Sequence, residues 1–80
     1  MTRRHRRLGT DLSAREVEIL AMVANGKANR EIAKRLFLAE ETIKSHVGSI
    51  LMKLGARNRA HAVALGYADG VIALCLETFE

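Results

Sequence analysis

The sequence predicts an all-α fold of four helices, two of them joined as a helix-turn-helix, with a short C-terminal extension. Three observations predict it. Apolar residues recur at intervals of three and four through four successive segments. Start and stop signals bracket those segments. The run from Glu31 to Gly55 reads as two helices separated only by Phe37, Leu38 and Ala39. So short a connection holds the pair at a steep angle.

The first helix has the strongest entry signals. Ser13 as N-cap with Glu16 three residues on makes a capping box, and Leu12 and Val17 stand where a hydrophobic staple would close. Ile19, Leu20 and Val23 supply its buried face, and Asn25 and Gly26 end it. The second helix is predicted over residues 29–36. Ala28 cannot accept a capping bond, so Asn29 is read as the cap instead. Lys27, Arg30, Lys34 and Arg35 make it a basic flank. The third is predicted over 40–54, with Glu40 and Glu41 favourable to the dipole of its first turn, Ala39 a weak cap, and Gly55 as terminator. Its apolar face is Ile43, Val47, Ile50, Leu51 and Leu54. Its outward face carries Thr42, Lys44, Ser45, Gly48 and Ser49, with no carboxylate after Glu41, and can approach a polyanion. The fourth starts after Asn58 and runs to about Ala68, with Ala60, Val63, Ala64 and Tyr67 as its apolar stripe.

Eighty residues make one small domain. The net charge of +4 hides an asymmetry: residues 1–59 carry all 13 Lys and Arg against six acids, and residues 60–80 carry three acids and no Lys or Arg. The basic body suits nucleic acid and the apolar, acidic end suits protein. Residues 1–10 hold Arg3, Arg4, Arg6 and Arg7 and read as a disordered basic arm, able to follow phosphates or enter a minor groove, or equally as a solvated tail. Residues 71–80 are nearly uncharged until Glu77; so small a core cannot hide them all, and part of this extension is expected to cover a second molecule. Cys75, the one cysteine, excludes an internal disulfide and reads as an apolar thiol. No apolar stretch follows the charged N-terminus, and the longest apolar run, Val71 to Leu76, is too short for a bilayer, so a cytoplasmic protein without membrane contact is expected.

The blocks Leu12-Ser13-Ala14-Arg15-Glu16, Asn29-Arg30-Glu31-Ile32-Ala33, Glu41-Thr42-Ile43-Lys44-Ser45-His46-Val47 and Ile50-Leu51-Met52-Lys53-Leu54-Gly55 occur in order. Together they resemble the DNA-binding domain of the LuxR/NarL/GerE regulators of bacterial transcription. The resemblance covers residues 11–70. It implies a tetrahelical domain whose third helix reads DNA half-sites and whose fourth is a dimer contact. It implies that Thr42, Lys44 and His46 matter at the DNA interface, that Lys44, Ser45 and Gly48 lie nearest the base edges, and that Lys53 lies near the backbone. Relatives commonly carry Ser or Thr at positions 28 and 39, a larger residue at 48, and an acid or amide at 61. Most also carry an N-terminal receiver or ligand-binding domain. Here at most ten residues precede the motif, which fits either a stand-alone regulator or a fragment; a start at Met1 favours the former.

The resulting expectation is a sequence-specific transcriptional regulator, acting as a homodimer on double-stranded DNA, with RNA polymerase or another regulator as a further partner. Arg30 and Lys34 join the α-helical candidates Thr42, Lys44, Ser45, His46, Gly48, Ser49 and Lys53 as DNA-binding residues. Val63, Tyr67, Val71 and Leu74 are the candidate dimer contacts. Glu16 is expected to pair with a base in a structural role. The alternative is a protein-interaction module that blocks another regulator by heterodimerising. Enzyme chemistry has no inventory: His5, His46 and His61 lack metal-ligand spacing with Cys75, no phosphate-binding glycine loop occurs, and Ser45 and His46 point apart on one helix. No cofactor or metal is expected.

Overall fold

The computed structural model describes residues 12–72. The Arg-rich arm, Leu74, Cys75 and the idea of an extended segment over 71–76 fall wholly or mainly outside them. The described residues form α1 (Ala14–Ala24), α2 (Asn29–Leu36), α3 (Glu40–Leu54) and α4 (Arg59–Ala68), with no strand among them. The four helices match the periodicity. Helix α3 packs against the other three, and α4 lies across α1. Ile19, Leu20, Ile32, Ile43 and Ile50 are fully buried where these seams meet. Each contributes about 1.5–3 kcal/mol by leaving water.

The helix starts differ in quality. At α1 the box is complete: Ser13 Oγ accepts from the Glu16 amide at 3.1 Å, and Glu16 Oε1 accepts from the Ser13 amide at 2.9 Å. At α2 only half of it exists. Ala28 is the N-cap and accepts nothing through its side chain, while Glu31 Oε1 accepts from the Ala28 amide at 2.8 Å. Asn29 does not cap, contrary to the sequence expectation. Its Oδ1 accepts from the Arg59 guanidinium at 2.6 Å, and Arg59 also donates to the Lys27 carbonyl at 3.3 Å, tying the start of α4 to the start of α2. At α4 Asn58 Oδ1 accepts from the His61 amide at 2.8 Å, and His61 Nδ1 accepts from the Arg57 amide at 3.0 Å. His61 thereby satisfies the amide that precedes the N-cap.

All four helices end alike. A left-handed residue follows each, directly after α2 and α3 and one residue later after α1 and α4, and the next amide bonds back five residues: Lys27 to Met22, Leu38 to Ala33, Ala56 to Leu51, and Val71 to Gly66. This is the Schellman closure. The left-handed residues are Gly26, Phe37, Gly55 and Gly70.

The buried stripe of α4 departs from the expected one. Ala62 and Gly66 face the core, Val63 and Tyr67 are half-buried, and Ala60 and Ala64 are exposed. Gly66 sets the phase. A Cβ built there would lie 3.0 Å from Ile72 Cγ1 and 3.1 Å from Leu20 Cδ2, so α4 packs tightly here against Leu20 of α1 and against Ile72. Ile72 is 6% exposed and belongs to the same core. The first residues of the C-terminal extension therefore fold back on their own domain, and the core reaches beyond position 70.

Candidate nucleic-acid interface

Helix α3 presents three stripes. Ile43, Ile50 and Leu54 are buried. Glu41, Lys44, Ser45, Gly48 and Met52 are exposed. Thr42, His46 and Ser49 are half-buried and lie in line with Lys53, whose side chain is 38% exposed; at its Ser49 and Lys53 end this shoulder meets α1. The spacing of three and four residues within each stripe follows from the 3.6-residue turn.

The exposed stripe is open. No atom lies within 4 Å of a Cβ built on Gly48. Lys44 Nζ stands 3.8 Å from Glu41 Oε2, with both side chains well exposed, so the pair holds the ammonium only weakly. Arg30 and Lys34 are exposed on α2.

The lower shoulder is occupied from inside. Glu16 is 5% exposed. Its Oε2 accepts from Ser49 Oγ at 2.9 Å, and its Oε1 accepts from Lys53 Nζ at 2.9 Å. Burial, the largest single influence, pushes the Glu16 carboxyl up. The Ser13 amide, Lys53, Ser49 and the Lys53 charge together outweigh it and hold the pKa at about 2, below the ordinary 4.5. Ser49 is thus not on the outward face to which its position assigned it, because α1 brings a buried carboxylate to its hydroxyl. Lys53 has a fixed internal partner as well. Glu16 has the structural role expected of it.

Of the nine residues assigned to DNA, Lys44, Ser45 and Gly48 share one open face. Thr42 and His46 flank it, Arg30 and Lys34 lie on the neighbouring helix, and Ser49 and Lys53 join α3 to α1. Two exposed apolar groups escaped the sequence reading: Phe37, 93% exposed at the turn, and Met52, 77% exposed. Met52 was legible, since it continues the spacing 41, 45, 48, 52. Phe37 had no periodic signal. Among the described residues no cluster of His, Cys, Asp or Glu is fit to hold a metal ion. No described helix is long and apolar enough to cross a membrane.

A four-helix domain with a helix-turn-helix and an open, carboxylate-poor face on its second member defines a class, the helix-turn-helix regulators. Residues 10–65 match the family of bacterial regulatory proteins described as the luxR family, and the chain belongs to it. It is 43% identical over 61 residues to the transcriptional regulatory protein LnrK of Bacillus subtilis, covering 76% of this chain and 28% of LnrK. It is 48% identical over 54 residues to the HTH-type transcriptional activator RamA of Corynebacterium glutamicum, covering 68% of this chain and 19% of RamA. Among solved structures, the response regulator ChrA of a heme-sensing two-component system superposes with a TM-score of 0.74 at 43% identity, over 76% of this chain and 30% of ChrA. The chain therefore spans less than a third of the length of these relatives.

Proposed function

We propose that this domain binds duplex DNA sequence-specifically by laying α3 in the major groove, and that it regulates transcription in the cytoplasm in this way. The observation that carries the reading is the exposed stripe of Lys44, Ser45 and Gly48, with no acid beyond Glu41 and with Arg30 and Lys34 beside it. A helix about 10–12 Å across fits a groove about 12 Å wide. Lys44 and Ser45 face the base edges, and Gly48 lets the backbone approach them. Thr42, His46, Arg30 and Lys34 face phosphates. Ser49 and Lys53 hold α3 at its angle through Glu16, and do not read bases.

Two copies associate through α4. Val63, Tyr67 and Val71 are half-exposed apolar groups near its C-terminal end, and this supports the assignment. Half-sites then lie about one helical turn apart. RNA polymerase or a second regulator is the remaining partner. The test is selection from a random duplex library at physiological salt. A two-fold symmetric motif is expected. Folded protein that binds no duplex would overturn the reading.

A further inference from the structure

The four helix ends provide an internal comparison. All four close with a left-handed residue and the same back-bonded amide. At three of them the residue is glycine, which adopts that conformation without steric cost. At the fourth it is Phe37, with φ 58° and ψ 43°, the one non-glycine residue of positive φ among the described residues. A side chain there meets its own backbone. Packing can compensate for such strain, but Phe37 is 93% exposed and packs against nothing in the domain that does so. The fold thus carries two costs at one position, a strained backbone and a solvated aromatic ring, and recovers neither internally. Strain of this kind collects at functional positions.

The location narrows the function. Leu38 is half-buried against the core and Ala39 is the N-cap of α3, so the turn sets Phe37 rigidly relative to that helix. Exposed Lys34 and Arg35 stand in the last turn of α2, and no acid occurs from Ile32 to Ala39. Glu40 and Glu41 bound this surface on the α3 side and confine an anionic partner to the α2 side of the ring. A strand of duplex DNA offers deoxyribose carbons between phosphates, an alternation that a ring flanked by two cations complements.

We infer that Phe37 is a DNA contact, its ring packing on the sugar edge of the strand that walls the groove entered by α3, with Lys34 and Arg35 on the adjoining phosphates. The inference rests on the proposed DNA reading and adds to it an apolar anchor outside the recognition helix. That contact strengthens binding to any duplex without distinguishing bases.

The experiment compares the full chain with Phe37→Gly, Phe37→Asn and Phe37→Tyr. Each is measured by thermal unfolding and by anisotropy titration with the selected operator duplex over a range of salt. Phe37→Gly should melt about 4–8 °C higher, because the strain is gone. It should bind operator about tenfold more weakly, the ratio that attends loss of roughly 1.4 kcal/mol of contact. The salt slope should stay unchanged, because an apolar contact releases no counterion. Phe37→Asn should behave likewise, and Phe37→Tyr should keep the parent affinity. Affinity within twofold of the parent in Phe37→Gly overturns the contact while leaving the DNA reading intact, and so does a loss of transcription in cells at unchanged affinity, which would assign the ring to a protein. Loss of affinity in Phe37→Tyr, or no rise in melting temperature in Phe37→Gly, also overturns it. A parent chain that binds no duplex removes the DNA reading itself.

Discussion

The Glu16 carboxylate, at the first turn of α1, accepts from the ammonium of Lys53 across 37 positions of sequence at 2.9 Å. Through Ser13 the same carboxylate caps its own helix, and through Ser49 it reaches α3 a second time. One buried charge therefore sets both the start of α1 and the angle of α3. Its folded pKa of about 2 lies below the ordinary carboxylate value, so its contribution to stability is present above about pH 5 and is lost as pH falls toward 2. The loss should be on the order of 3 kcal/mol, and Glu16→Gln should lack it. Urea unfolding at pH 6 and at pH 2.5 tests this. The parent should be clearly more stable than Glu16→Gln at the higher pH, and the gap should shrink to about a quarter of that at the lower. Parallel pH profiles would remove the carboxylate from the stability of the fold.

Two mid-helix glycines should respond oppositely to the same change. Gly48 faces open space, so Gly48→Ala should gain about 1 kcal/mol of helix propensity. Gly66→Ala would place its Cβ at 3.0 Å from Ile72 and 3.1 Å from Leu20, and the crowding should consume that gain. Thermal denaturation of both variants checks it: Gly48→Ala should melt several degrees above Gly66→Ala. Equal melting temperatures would mean that the seam between α4 and α1 has slack. Operator affinity of Gly48→Ala tests separately whether the bare backbone matters at the groove.

The contrast between these glycines shows how much of the fold was legible. Helix positions followed from periodicity and from local signals such as Ser13 with Glu16, Gly55, and Asn58, all of which act within a few residues. The open face of α3 followed from the same spacing, at Lys44, Ser45 and Gly48. What failed depended on partners distant in sequence. Ser49 has an outward-looking position in its own helix, and only the arrival of Glu16 turns it inward. Asn29 looks like a cap until Arg59 takes its oxygen. The core phase of α4 is set by a glycine, which carries no hydrophobic signal at all. Phe37 shows its strain only through a backbone dihedral.

The start of α2 is an unfinished box. Glu31 already returns its bond to the Ala28 amide at 2.8 Å, and Ala28 sits in the extended conformation that an N-cap requires. Ala28→Ser should complete the pair by accepting from the Glu31 amide, and should stabilise the domain by about 1 kcal/mol. The shift should appear in the urea midpoint at unchanged slope. Asn58→Ala should remove a bond that is already made, and destabilise by a similar amount. Failure of Ala28→Ser to raise the midpoint would mean that Glu31 alone satisfies the helix start.

Lys44 is the cation most exposed to a docking duplex on α3, and its only described partner is Glu41 at 3.8 Å. Because that exposed pair is worth at most about 1 kcal/mol, substitution at Lys44 should leave the unfolding temperature nearly unchanged. Binding should respond strongly. Lys44→Ala should cost about 1–3 kcal/mol on the preferred operator and relax the preference for one base, as expected of a group at a base edge. Lys44→Glu should abolish specific binding, since it puts a second carboxylate beside Glu41 on the face proposed to meet the groove. The alternative role, a phosphate contact, has a different signature: weakening equal on all sequences and a salt slope lower by about one. Titration of operator and of a single-base variant at two salt concentrations separates the two. Lys44→Glu protein that is folded and still binds operator like the parent would remove α3 from the interface altogether.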